Sequence, residues 1–491
     1  MLTRGPLPRT RPGRLLFGRR GLLFCVLVLA LSLYAWYAPL PSLLRAPPSG
    51  VLTLLIAYES VPHGNDGAEK YLASTVRALA ALPRVRPIFL ARSTVDKCRA
   101  LPSDSEALGA VAIREAGPHS PEFHRLLRQP STALLLPLSF FEGCSGHNAS
   151  SSEVYSAALR SLQAASGAYS AVPLAVFAFD AQAYRLQGLA ANEPHAEQAA
   201  RFTEAARLER AREEALYARA DVFAMLTPED LAVAPATPPG VPRLAVSFRD
   251  ADIDPRLRST PGGSAVPSAL ARAELVRAAL PGFAARSGFV FLGGGNNPTN
   301  VLALYYFVKR VWPAIRARLP SATLSIVGSP PTRLCKAHGI WCGWLEGTAF
   351  QGQAPSESGI LVHGLVEDPR TVLSGARVAL APLVCGTGIN TKTGFYMSQG
   401  LPVVGTEKGF RGYGQQPTPG FAVHPLDAEG EQGGEAMAEA AVALHENREA
   451  WERAATAALV RTAELEDERA KAADLEALVQ ALRSALIDRS R

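Results

Sequence analysis

The sequence predicts an α/β protein of two Rossmann-like, doubly wound domains facing a cleft, behind one N-terminal transmembrane helix. Three observations predict it. Short apolar runs of strand length alternate with helix-length segments in two stretches, 51–245 and 288–430, the pattern of parallel sheets with crossover helices. One uncharged run of 20 residues, 21–40, lies near the N-terminus, where a polytopic membrane protein would carry several. The 491 residues are 48% hydrophobic and 19% charged, which excludes a disordered chain and leaves room for two or three domains of ~100–200 residues.

The formal net charge of +6 is local. Residues 1–20 hold six arginines (Arg4, Arg9, Arg11, Arg14, Arg19, Arg20) and no acid, so the 50 basic residues less these six balance the 44 acidic ones. A protein that binds the phosphate backbone of nucleic acid is therefore excluded. The arginines lead into GLLFCVLVLALSLYAWYAPL, which ends with Tyr34, Trp36 and Tyr37, an apolar span with an aromatic belt. Basic residues stay cytoplasmic, so residues 1–20 are expected as a cytoplasmic tail and 21–40 as a type II signal anchor. The rest of the chain is then expected in the lumen or outside. A cleaved signal peptide is the rival, but its core is shorter, ~7–15 residues, and here Pro39 and Pro41 follow. Residues 41–50 read as a Pro-rich stem.

Cysteine usage fits that compartment. Cys25 lies in the span, and Cys98, Cys144, Cys335, Cys342 and Cys385 would be lumenal. Cys335 and Cys342 either close a short disulfide loop or remain free thiols. A zinc site is disfavoured, since no second pair lies near them. Asn148 with Ser150 forms a glycosylation sequon, whereas Pro298 excludes the one at Asn297.

In chain order, 51–57 (VLTLLIA) reads as a strand, 58–66 as a polar loop and 68–82 as a helix. Strands follow at 86–90, 133–136 and 174–179, then a charged, Ala-rich helix at 193–220 and a strand at 221–226, with a helix start from Thr227 to Asp230. Residues 231–285 are loosely patterned, and 246–287 is the expected interdomain connection. The second unit opens at Gly288 with GFVFLGGG, a strand entering a glycine turn. It continues as helix 299–319, strands 322–328 and 360–363, helix 368–374, strand 378–381, helix 391–399 and strand 402–405, with Gly400 as a C-cap. That makes a sheet of four or five strands. Residues 431–491 form a helical tail, read either as packing helices or, over 464–476, as support for a homodimer.

The segment richest in chemistry is 378–406, VALAPLVCGTGINTKTGFYMSQGLPVVGT. A buried strand runs into a loop with Gly386 and Gly388, and a helix starts at Asn390 or Thr391. Glycines let the backbone approach an anion, the helix start offers unpaired N–H groups, and Lys392 adds a full charge, which together suit a phosphate or pyrophosphate. A βα turn needing glycine only for its sharpness is the plainer reading.

The flanks of this loop resemble the donor domain of the family 4-like (group 1) glycosyltransferases of GT-B architecture. The resemblance runs in order through 289–329, 359–383, 386–392 and 400–412, and more weakly through 172–185 and 217–230. It implies a nucleotide sugar held by the C-terminal domain and a glycan, protein or lipid acceptor held by the N-terminal one. Gly386, Thr387, Gly388, Asn390, Thr391 and Lys392 would face the diphosphate and sugar. His363, Gly364 and Val366 would lie beside the nucleobase, and Gly294 and Asn296 would approach the phosphates. Asp66 and Gly67 would reach the donor from across the cleft. Asp180 and Asp66 are the catalytic candidates, and the transfer is expected to be retaining, with no cofactor and no metal.

The chain departs from the family pattern twice: Phe395 stands where many members carry a glutamate, and Gln182 where relatives often carry a histidine. These motivate the alternative of an inactive scaffold that binds a sugar or nucleotide. A third reading takes Asp250, Asp252 and Asp254 as a divalent-cation site, since a spacing of two puts carboxylates on one side of an extended chain. His63, His119, His124 and His147 carry no recognisable constellation.

Overall fold

The computed structural model describes residues 50–58, 67–91, 112–115, 117–138, 151–246, 254–258, 267–295, 297–329, 349–350, 357–413, 421–423, 431–466 and 468–490. The expected tail, the span and all of the stem but Gly50 therefore lie outside the described residues, as do Cys98, Cys144, Cys335, Cys342, the Asn148 sequon, His63 and His147. Among the described residues no helix is long and apolar enough to cross a membrane.

The first half runs β1 (Leu52–Tyr58), α1 (Gly67–Ala81), β2 (Val85–Ala91), β3 (Ala112–Glu115), α2 (Pro121–Leu127), β4 (Thr132–Leu138) and α3 (Ser151–Ala165). It continues with β5 (Leu174–Ala178), α4 (Gln182–Asn192), α5 (Ala196–Tyr217), β6 (Val222–Met225), α6 (Pro228–Val233) and β7 (Arg243–Ala245). These strands form one parallel sheet in the order β3-β2-β1-β4-β5-β6-β7. β1 is buried along its whole length, as a strand covered by helices on both faces must be, and this is why it reads as an unbroken apolar run.

After α7 (Ala269–Ala279) the second half runs β8 (Phe289–Leu292), α8 (Pro298–Tyr306), α9 (Trp312–Arg318), β9 (Leu324–Val327), β10 (Ala349–Phe350), β11 (Ile360–Gly364), α10 (Arg370–Leu373), β12 (Val378–Ala381), α11 (Thr391–Ser398), β13 (Val403–Gly405) and β14 (Phe421–Val423). The tail forms α12 (Glu431–Glu446), α13 (Arg448–Leu465) and α14 (Glu468–Ser490). The second sheet is also parallel, in the order β10-β11-β9-β8-β12-β13-β14. Its seven strands exceed the four or five expected, because β10 and β14 are edge strands of two and three residues with too little apolar run to show a period.

Two further differences have local causes. The helix expected at 193–220 is α5, Ala196–Tyr217, and a second helix that was not expected, α4, precedes it. The small and polar residues of α4 hide its period, and its N-terminus is satisfied from a distance: Glu213 of α5 accepts the Gln182 and Ala183 N–H groups at 2.7 and 3.3 Å. The single helix expected at 299–319 contains a π-helical turn, Phe307–Val311, one residue short of Pro313, which has no N–H to continue the α-helical ladder.

Residues Val51–Arg491 are one compact unit. One apolar cluster runs from the first sheet (Leu54, Ile56, Phe177) through Ile389 and Tyr413 to the second (Val290, Ala379, Val403), and takes in Leu475, Leu478 and Leu482 of α14. The last helix therefore spends its apolar face on the first domain of its own chain. Arg489 adds an ion pair to Asp221 at 2.6 Å beyond β5 and α5. Arg286, buried in the connection, donates to the carbonyls of Leu373, Ala376 and Gln399, closing the C-terminal ends of α10 and α11.

Candidate functional site

In an open parallel sheet the crevice lies where the chain order reverses, outside the carboxyl ends of the two strands at that point. In the second sheet those strands are β8 and β12, which pair directly. The loops leaving them are 293–297 and 382–390, and both belong to the segments singled out from sequence.

The first loop is a close backbone crossing. The Gly293 N–H donates to Val327 at 2.8 Å and the Gly295 N–H to Ser329 at 2.7 Å. Asn297 caps α8 by accepting the Thr299 N–H at 3.0 Å, with Pro298 in the first turn, the combination that starts a helix sharply. Asn300, one turn in, donates to the Gly294 carbonyl at 3.1 Å and accepts from Lys392 Nζ at 2.5 Å. The two loops at the reversal point are thus tied through Asn300.

Lys392 stands in the first turn of α11, with Nζ 4.8 Å from the centre of the Phe291 ring. Among the described residues it has no carboxylate partner, and desolvation pushes its ammonium down to about 7. A lysine at a helix N-terminus with only a neutral amide oxygen beside it is short of an anion. Thr391 is exposed. Asn390 is engaged instead: its Nδ2 donates to Thr393 Oγ1 at 3.0 Å and to the Gly409 carbonyl at 2.6 Å. Its side chain holds the next loop rather than lining the crevice.

The first domain faces this turn with carboxylates. Asp180, just past β5, accepts from Thr387 Oγ1 at 3.4 Å and from Gln182 Nε2 at 3.2 Å. Gly388 has φ +70°, and a Cβ there would run into Asp180 Oδ1. Only glycine satisfies both that backbone and that approach. Asp230, fully buried, accepts the Gly388 N–H at 2.8 Å and the Thr227 hydroxyl at 2.7 Å on Oδ2, and pairs with Arg411 at 2.5 Å through Oδ1. Burial raises its carboxyl, against the pull of Arg411. Glu213 is pushed up to about 7 by burial, partly offset by the two α4 N–H groups it accepts. α4 itself touches the second domain: Gly188 meets Cys385, and Tyr306 donates to the Asn192 carbonyl at 2.8 Å. Burial raises the Cys385 thiol to about 12, so it stays protonated and packs.

The remaining candidates lie apart from the turn or outside the described residues. His363 sits near the end of β11 with Nε2 3.0 Å from Ser325 Oγ. Burial lowers its pKa. Gly364 (φ +74°) turns the chain, Leu365 projects 81% exposed, and Val366 packs on the large apolar cluster. Gly294 lies in the first loop and Gly386 and Thr387 in the second. Gly67 begins α1. Asp66, Asn296, Asp250 and Asp252 lie outside the described residues. Asp254 is paired with Arg256 at 2.5 Å. His119 is exposed, and His124 packs edge-on to Tyr169. Phe395 fills core beside the large cluster.

Four residues of this site were not singled out from sequence: Asn300, Glu213, Asp230 and Arg411. For Asp230 the available signal was the Thr227-x-x-Asp230 spacing, which reads as a helix cap. It is one, but its carboxylate also crosses the cleft.

Residues 286–447 match the family described as glycosyl transferases group 1. No curated protein matches the chain. Among solved structures, sucrose-phosphate synthase from Thermosynechococcus elongatus is similar with TM-score 0.56 at 16% identity, over 88% of this chain and 100% of that one. The Anabaena protein HepE in complex with UDP and glucose is similar with TM-score 0.50 at 12% identity, over 87% and 99%. A mutant O-GlcNAc transferase from Thermobaculum terrenum is similar with TM-score 0.51 at 12% identity, over 90% and 70%. The two facing parallel sheets have the GT-B fold, residues 286–447 are a group 1 glycosyltransferase domain, and the chain is a glycosyltransferase.

Proposed function

We propose that the crevice between 293–297 and 386–392 holds the diphosphate of a nucleotide sugar, and that the sugar passes to an acceptor on the first-domain side. The observation that carries this is Lys392: a desolvated cation at a helix N-terminus, at the reversal point of the sheet, with no carboxylate partner among the described residues. A diphosphate supplies an anion. HepE, similar in fold, binds UDP, which supports a nucleotide in this class of crevice.

In the transfer the C1–oxygen bond to the diphosphate breaks, the acceptor hydroxyl oxygen bonds C1 as its O–H bond breaks, and the nucleoside diphosphate leaves with both electrons of the broken C1–oxygen bond and takes up the hydroxyl proton. Lys392 and the open N–H groups at the start of α11 stabilise the developing negative charge. Because the protein supplies this charge, we take the reaction as independent of metal. Asp180, within reach of Thr387, is the carboxylate placed to hold a sugar or acceptor hydroxyl, with Asp66 as second candidate. Retention of configuration, a type II Golgi anchor and a lumenal acceptor complete the proposal. They rest on the sequence resemblance and on the arginine-led apolar run.

The test is calorimetric titration of the protein with UDP, GDP and ADP, with and without chelator. Lys392→Ala is expected to cost ~1.5–3 kcal/mol of affinity for the preferred nucleotide, and chelator nothing. Unchanged affinity in the variant would move the phosphate site elsewhere, and loss on chelation would return the metal reading.

A further inference from the structure

The turn assigned to the donor is not held by its own domain alone. Gly388 presents its N–H to Asp230 Oδ2, and Asp230 belongs to α6, across the cleft. The other oxygen of the same carboxylate holds Arg411, whose backbone carbonyl accepts the Asn390 N–H at 3.2 Å. One first-domain carboxylate therefore grips residue 388 directly and residue 390 through Arg411, leaving only residue 389 between the two attachments. Asp230 is itself fixed by Thr227, which donates its hydroxyl to Oδ2 and accepts the Asp230 N–H at 3.0 Å. Asp230 is 0% exposed and the Arg411 side chain 8%. This contact is excluded from water on both sides, and removing one partner strands the other as an unpaired buried group.

We propose that Asp230 is a positioning residue for the donor turn. Together with Arg411 it sets the geometry of 388–390, so that the anion-binding turn is assembled by both domains. The inference rests on the reading of 386–392 as the diphosphate site, but the clamp can be tested without any nucleotide.

The experiment is amide hydrogen exchange on the full chain, comparing wild type with Asp230→Ala. A second variant, Arg411→Gln, keeps a neutral donor toward Asp230 and is the milder lesion. In Asp230→Ala, exchange across 386–392 should rise about tenfold or more, with β5, β6, β8 and β12 still protected. Arg411→Gln should give a smaller rise in the same residues. A lesion that is merely structural would appear first in β5 and β6, the elements of Asp230's own domain, and that pattern would overturn the proposal, as would unchanged exchange at 386–392 in both variants. Titration of the same proteins with UDP, GDP and ADP separates the two readings. Weaker nucleotide binding in Asp230→Ala supports the clamp as a determinant of the donor site. If instead the turn loosens while Asp230→Ala and Lys392→Ala both bind nucleotide as wild type does, the clamp stands and the donor assignment falls.

Discussion

On the second-domain side of the cleft Lys392 has no carboxylate partner among the described residues and rests against the Asn300 amide and the Phe291 ring. On the first-domain side the groups are carboxylates, and each is already engaged: Asp180 by Gln182 and Thr387, Asp230 by Arg411 and Gly388, Glu213 by the start of α4. An arriving diphosphate finds an unsatisfied cation on one face and satisfied anions on the other. The difference teaches a division of labour: one face attracts the charged ligand, and the other shapes the turn that receives it.

The most severe way to break this arrangement is to force the faces apart where they touch. Gly388→Ala puts a Cβ against Asp180 and a side chain at φ +70°. Strain of that kind costs roughly 1–3 kcal/mol, and displacement of the turn adds to it. Nucleotide affinity measured by titration should fall more than about tenfold, with a lowered denaturant midpoint. A variant that binds as wild type does would show that Asp180 does not press on the turn.

A finer probe of the donor face is pH. Because desolvation holds the free Lys392 near 7, well under the usual lysine value of ~10.4, binding an anion should raise its pKa and take up a proton. Above pH 7 the free protein has lost that proton, so nucleotide affinity should decline as pH rises from 7 to 9, approaching tenfold per pH unit at the steepest. Lys392→Ala should abolish the slope. The second phosphate ionisation near 6 lies below this window. A flat profile in the wild type would mean that the ammonium is well solvated in the free protein.

How much of this was legible in the sequence follows from how far each residue's partners lie along the chain. The strand 378–381 and the helix from Thr391, with Gly400 at φ +60° closing it, were readable because their signals are local: a buried apolar run, glycines, a helix start. Lys392 was readable for the same reason. The seven-strand width of the second sheet was not, since its edge strands are too short for a period. Asn300 matters because it meets a residue 92 positions away, and Asp230 because it meets Arg411 at a separation of 181. No periodicity or capping rule encodes such pairs. They exist only once two sheets are packed, and in sequence Asp230 shows only its local role as a helix cap.

Glu213 gives the most selective test of the carboxylate face. It is buried on α5, and its acceptor oxygen closes the N-terminus of α4, whose first residue, Gln182, donates to Asp180. Burial raises its pKa to about 7, above its value of ~4.3 in an unfolded chain. Below pH 4 both states carry the proton. Between the two values the folded state keeps a proton that the unfolded state releases, so stability from this group falls as pH rises across that window and remains lost above 7. Glu213→Gln keeps an oxygen for the Gln182 and Ala183 N–H groups but has no proton to lose. Its stability relative to wild type should therefore improve by about 2–3 kcal/mol between pH 5 and pH 8, read as a shift in the difference of denaturant midpoints. An equal difference at both pH values would show that the carboxylate is ionised in the fold throughout. The start of α4 would then be held by a charge, and Asp180 would be placed by the first domain's electrostatics rather than by a neutral hydrogen-bonded cap.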